Sequence, residues 1–256
     1  YLPIVVAGQI SAESHPEAIK AQTILARTYI CRQMEQMGLE EEIPESSLGL
    51  EKNRNNQMEP LWGTEIFPEY YSRFEKAARE TEGVTLTWEG HFIDPLFTHT
   101  TTGFTRPGDE EHPYLASVSC VHDPEEEGFV QEMIMQPEEA AKRVSAIPAG
   151  DGSFRTIPPE AFPEQVQIIS RDEAGYALQL QIGGFPFNGE EVRLALGLPS
   201  ACFELNRHGS DVRFTVRGRG HGWGLSQTEA QALAEDGWSA EAILEYFYTG
   251  ISFSSE

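Results

Sequence analysis

The stretch RGRGHGWGLSQTEAQ (217–231) has glycine at 218, 220, 222 and 224, with Arg219, His221 and Trp223 between them. A guanidinium, an imidazole and an indole at alternate positions suit an oxygen-rich or ring-shaped ligand. Alternating glycines strip one face of an extended segment, so a ligand or a second backbone can approach closely. SQTE (226–229) has capping-box spacing and places Ser226 and Gln227 at a helix start, whose free N–H groups favour oxygen ligands. Trp223 and Leu225 stand where a dinucleotide-binding G-x-G-x-x-G would need its third glycine. A P-loop ending, a G-x-S-x-G elbow and H-E-x-x-H are also absent. Tight strand packing under a helix, with Trp223 as a core anchor, accounts for the same pattern, and composition leaves both readings open.

A second group is THTTTGFTR (98–106), where His99 adjoins Thr100, Thr101 and Thr102. An imidazole beside neutral hydroxyls suits a carbohydrate, while β-branched threonines also simply fill an exposed strand. Arg27 lies inside an apolar helical run, where a buried guanidinium needs a carboxylate or a ligand. Alternatively, Lys20, Thr23 and Arg27 form a solvent-facing polar edge. His99, His112, Cys120 and His122 are metal-ligand types without standard spacing. No cofactor is therefore expected, and zinc is the metal such ligands would favour.

The positioning elements follow from pattern. LPIVVAGQI (2–10) reads as a buried strand. SHPE (14–17) reads as a capping box opening a helix that runs to Gly38. A second helix is expected over 68–80, then strands at 84–88 and 91–97 around a Glu89-Gly90 turn, a long loop over 106–128 and a helix over 137–147. Strands are expected in 165–184, folded at Asp172–Gly175, and again at 191–196 and 211–218. Two short helices joined at Asp236-Gly237 follow, the second capped by Ser239. The polar segment 39–60 reads as an exposed insertion in a single domain, 1–256. Hairpins mixed with helices, without regular βα alternation, make the fold class α+β, with mostly antiparallel strands.

The chain has 256 residues, a formal net charge of −23 and only 18 Lys+Arg. That balance excludes a basic nucleic-acid-binding surface. No apolar run approaches the ~18 residues of a membrane span. Three cysteines (Cys31, Cys120, Cys202) cannot all pair internally. The chain opens at Tyr1 rather than Met, so an upstream leader or anchor is an expectation.

Three stretches together resemble one family, in order: PEAIKAQTILARTYI (16–30), DPLFTHTTTGFT (94–105) with PYLASV (113–118), and GRGHGWGLSQTEAQALAEDGWSAEAILEYFY (218–248). They look like the signature regions of stage II sporulation protein D and its amidase-enhancer relatives. The resemblance implies a lytic transglycosylase of spore engulfment. It would be extracytoplasmic, anchored by an N-terminal segment, and would act on peptidoglycan glycan strands beside a cell-wall amidase and other engulfment proteins. It implies a glycan groove lined by His99, Thr100, Thr101, Arg219, His221, Ser226 and Gln227, with Arg27 holding a substrate oxygen from below. One carboxylic acid would protonate the glycosidic oxygen, unlike the two-carboxylate hydrolases. Some members bind zinc near the histidine-threonine region through cysteine; no cysteine stands in 99–108. The family's glutamate position, in a V-A-x-E-M-P pattern, is here occupied by Gln9 in VAGQIS (6–11). Glutamine cannot exchange a proton near neutral pH, which leaves Glu17 or Glu13 as the acid, or a glycan-binding or amidase-activating module that no longer cuts. Position N3 of a capping box explains Glu17 equally well.

Overall fold

The computed structural model describes residues 1–39, 44, 48 and 62–255. It is α+β, and its three three-stranded sheets are antiparallel. The expected insertion at 39–60 lies outside the described residues, apart from positions 39, 44 and 48. The chain divides into two compact units. The first comprises Tyr1–Phe97, Pro107–Ser117 and Glu229–Glu256, and the second Thr98–Arg106 and Val118–Thr228. No helix among the described residues is long and apolar enough to cross a membrane.

In unit 1 the opening run is a helix, not the strand its composition indicates: α1 spans Leu2–Ala7. A short apolar run carries no period that separates the two states, so packing decides. Pro3 fits the first helical turn, and Val5 and Val6 bury in a cluster with Ile19, Ala26, Phe74 and Ala77. α2 (Pro16–Met37) ends at Gly38, whose φ of 65° is the left-handed C-cap expected of glycine. Its N-cap is His15 rather than Ser14, because the imidazole Nδ1 accepts the Glu17 N–H at 3.3 Å. That shift releases the Glu17 carboxylate from capping. α3 (Phe67–Glu80) contributes Phe74, fully buried and stacked on Trp62.

β1 (Val84–Trp88) and β2 (His91–Phe92) pair about Glu89 and Gly90, with φ of 49° and 86°. Two consecutive positive values make the tight hairpin turn that the dipeptide implies. The strand Ser252–Ser255 pairs on the other side of β1. Helix Ala240–Phe247 is capped by the Ser239 hydroxyl, as expected, and buries Ile243, Leu244 and Phe247.

In unit 2, β3 (Val130–Met135), β7 (Phe203–His208) and β8 (Asp211–Arg217) form one sheet with β8 central. A second sheet orders β4 (Val166–Arg171), β5 (Ala177–Ile182) and β6 (Phe185–Asn188). Val212, Phe214 and Val216 alternate into the core, where they join Phe162, Leu180 and Phe203. α4 spans Pro137–Ser145, and α5 spans Gly189–Leu196. The strand expected at 191–196 is thus a helix. Asn188 caps it by accepting the Glu190 N–H, Gly197 ends it at φ 72°, and Val192 and Leu196 bury on one face. Asparagine before two acids and glycine after the last apolar residue were the helix signals in the sequence.

Candidate functional site

In unit 2, β8 delivers the chain to the glycine stretch at Arg217. All four glycines take positive φ, namely 73° at Gly218, 114° at Gly220, 86° at Gly222 and 72° at Gly224. The stretch is therefore not the extended ribbon that alternation indicates, although close approach is real. A Cβ at Gly218 would sit 2.8 Å from the Thr101 carbonyl oxygen, and one at Gly222 would sit 2.5 Å from the Tyr176 ring. Backbone bonds fasten it to the threonine segment: Arg219 N–H donates to Thr100 O (2.8 Å), Thr100 N–H to Arg219 O (3.0 Å) and Arg106 N–H to Gly222 O (2.8 Å). The two candidate stretches are thus one structure.

Arg106 holds it together, and the sequence reading passed over it. The side chain is 3% exposed. Nε donates to Asp172 (2.5 Å) and Nη1 to Glu190 (2.8 Å) and to the His221 carbonyl (3.1 Å). The guanidinium lies 3.7 Å from the Trp223 ring centroid and 4.7 Å from that of Tyr176. Stacking on rings while forking between carboxylates is a geometry that lysine cannot reproduce. Burial raises the Tyr176 hydroxyl well above its ordinary value, so it stays protonated. Asp123, fully buried, accepts the Thr101 N–H (2.5 Å) and the Ser226 hydroxyl (2.8 Å). Asp172, Glu190 and Asp123 come from loops and a helix start distant in sequence, and no local motif marks them.

Burial sorts the expected groove residues. Thr101 and Ser226 are fully buried against Asp123, so they shape the site rather than line it. Thr100 bonds Thr228 (2.9 Å), and Gln227 lies a long 3.4 Å from His99 Nδ1. His99 and Arg219 are exposed, and His221 and Trp223 are half-buried. His221 Nδ1 accepts the Trp223 N–H at 3.1 Å, which puts the proton of a neutral ring on Nε2. A pocket of about 180 Å³ opens here, lined by His99, Thr100, Arg219, Glu126, Glu127 and Gln131 among others.

Unit 1 holds the remaining candidates. The side chain of Gln9 accepts a hydrogen bond from the buried Gln22 amide at 2.9 Å. Glu13 accepts from the Tyr70 hydroxyl. Glu17 bonds Lys20 Nζ (2.8 Å) and the Ala240 N–H (2.9 Å), and Lys20 also pairs with Glu80. Burial alone would raise the Glu17 carboxyl, but the Lys20 ammonium and the Ala240 N–H outweigh it and hold it below its ordinary value. A general acid needs the opposite shift. Because the folded value is depressed, the stability this pair contributes is present above the ordinary carboxylate range and lost as pH falls through the folded value. Lys20→Met is accordingly expected to reduce the loss of stability between pH 6 and pH 3, measured by urea unfolding at each pH.

Among the described residues the half-buried Arg27 pairs with no carboxylate, and Thr23 is fully buried, so Lys20, Thr23 and Arg27 do not form the solvent-facing edge. Its guanidinium donates to Val84 O (2.9 Å), Ala78 O (3.1 Å) and the Thr81 hydroxyl (3.2 Å), stapling α2 to the end of α3 and to β1. Among the described residues no group of three or more His, Cys, Asp or Glu could hold a metal ion. His112 pairs with Asp109 (2.8 Å), and Cys120 is buried.

Residues 1–88 match the family model described as Stage II sporulation protein. Stage II sporulation protein D of Bacillus subtilis (strain 168) is 29% identical over 267 residues, covering 99% of this chain and 73% of that protein. The protein of the same name from Bacillus amyloliquefaciens is 28% identical, again over 99% of this chain and 73% of its own length. An amidase enhancer of Bacillus subtilis (strain 168) is 23% identical over 98% of this chain and 40% of that protein. The chain is thus similar to Stage II sporulation protein D over 99% of its own length, and to the family model over its first 88 residues.

Proposed function

We propose that this chain is an extracytoplasmic cell-wall protein of sporulation that holds peptidoglycan glycan strands without cutting them. The observation that carries the reading is the state of Gln9 and Glu17, two of the three positions named for the acid, the third being Glu13, which accepts from the Tyr70 hydroxyl. Gln9 cannot deliver a proton, and Glu17 is tied down as an ion by Lys20 and the Ala240 N–H. The exposed His99 and Arg219, with the half-buried His221 and Trp223, offer hydrogen-bonding and stacking groups suited to sugar rings. The likeness to an amidase enhancer supports a cell-wall amidase as its partner.

A second reading, lytic transglycosylase-type cleavage during engulfment, is favoured by the similarity to Stage II sporulation protein D over 99% of the chain. Digestion of amidase-treated peptidoglycan separates the two. The unmodified protein and Glu17→Gln are expected to retain strands without releasing anhydro-ended products. Gln9→Glu, which restores a titratable carboxyl, is expected to raise product release by about 10²–10⁴-fold over the unmodified chain. Anhydro products from the unmodified protein would replace the binding reading with the enzymatic one.

A further inference from the structure

In unit 2 one guanidinium is held in place without a carboxylate. Arg155 Nη1 donates to the Pro186 carbonyl at 2.9 Å, and Cζ lies 4.9 Å from the Phe187 ring centroid and 5.9 Å from that of Phe185. Among the described residues no carboxylate pairs with it. Nearby Asp151 gives its Oδ1 to the Ser153 N–H (2.9 Å) and hydroxyl (2.6 Å). A carbonyl and two rings thus orient Arg155 while most of its donors remain unused, which prepares it for an anion.

Arg155 lines a cavity of about 310 Å³ whose other charged wall residue is the exposed Glu191. Glu191 and the exposed Gln179 make no side-chain hydrogen bond or ion pair among the described residues. Asn188 gives Oδ1 to the Glu190 N–H, which leaves its amide N–H groups to the cavity. Leu178, 40% exposed, and Phe187 supply apolar wall. The volume lies at the lower end of small-molecule sites, roughly 300–1,000 Å³. The cavity borders β6, an edge strand of its sheet, yet that edge is closed to strand addition. Pro186 has no N–H to offer, and its carbonyl already takes Arg155. A ligand here is gripped by its own charges and amides, not by a backbone ladder.

We infer that this cavity binds a short peptide with free termini. The peptide carboxylate takes the open Arg155 donors, and its ammonium meets Glu191. Its amides meet Gln179 and Asn188, and an apolar side chain lies on Leu178 and Phe187. A neutral sugar brings no charge for either Arg155 or Glu191, and a simple anion leaves Glu191 facing a like charge. A zwitterionic peptide satisfies both ends through charge-assisted hydrogen bonds. The inference goes beyond glycan retention and does not depend on it, because no residue of this cavity belongs to the glycine or threonine stretches.

Isothermal titration calorimetry with the tripeptide Ala-Leu-Ala, its N-acetyl derivative and its C-terminal amide tests this. The free peptide is expected to bind about tenfold more tightly than either blocked form, the scale of one hydrogen bond to a charged group. Arg155→Met should remove the penalty for amidation and keep that for acetylation, and Glu191→Gln should do the reverse. A general loss of structure does not produce that crossed pattern. Arg155→Lys keeps the charge without the fork and should retain part of the amidation penalty. If Arg155→Met lowers the melting temperature, Arg155→Lys and the exposed Glu191→Gln still decide. No binding of the free peptide, equal affinity for the three peptides, or penalties unchanged in Glu191→Gln and Arg155→Lys would overturn the inference.

Discussion

Arg106→Met is expected to lower the unfolding free energy by about 3–5 kcal/mol, the cost of breaking a buried ion pair by removing one partner. The reason lies in what remains. Asp172 and Glu190, 12% and 21% exposed, would keep their carboxylates facing an apolar side chain. The His221 carbonyl loses its donor as well, and the Trp223 and Tyr176 rings lose the cation between them. Methionine fills much of the volume, so the loss is electrostatic rather than a cavity. Urea unfolding measures it. Adding Asp172→Asn to Arg106→Met should recover part of the stability, because the charge that lost its cation disappears, whereas Glu190 keeps Arg193 Nε at 2.7 Å. Arg106→Lys should fall between, since an ammonium cannot fork and stack at once. A loss below about 1 kcal/mol in Arg106→Met would mean that the carboxylates find water or other donors. Glycan retention should fall with stability, because the same guanidinium fixes the backbone of His221.

Gly222→Ala carries the second large effect, expected at about 2–5 kcal/mol from left-handed backbone strain plus overpacking. Its φ is 86°, and a Cβ would lie 2.5 Å from the ring carbon and hydroxyl of Tyr176. Tyr176 is fully buried beside Ala201 and Cys202, so it cannot swing aside. The control is Gly237→Ala. That residue has a similar φ of 90° but nothing within 4 Å of the added carbon, so only the strain of about 1–2 kcal/mol remains. Thermal unfolding of both variants measures the difference. Equal losses would show that backbone conformation alone, rather than the Tyr176 wall, requires glycine at 222. The substitution should also displace Arg219 and Trp223, so strand retention should drop more than in Gly237→Ala.

Much of the architecture was legible because it is locally encoded. α2 was marked by its proline start, an unbroken run of helix formers and Gly38, and the β1–β2 hairpin by Glu89-Gly90. The alternation of Val212, Phe214 and Val216 gave away a half-buried strand. Two runs were misread for the same physical reason. LPIVVA and EVRLAL are short and apolar, and their β-branched or alternating character indicates strands when nothing else is counted. Burial of one face decided both as helices, Val5 and Val6 in one unit, Val192 and Leu196 in the other.

The sequence by itself determined which chemical groups were available and that the position expected to hold an acid holds Gln9. It also determined that four glycines precede a helix. Only the tertiary structure decided what those groups do. It turned Thr101 and Ser226 inward onto Asp123, gave Arg27 to backbone carbonyls, and left Arg219 facing a pocket. It also made Arg106 the centre of unit 2, from partners 66, 84 and 115 positions away. A guanidinium's role depends on which oxygens surround it, and those oxygens arrive through folding, from segments whose spacing along the chain carries no record of their meeting.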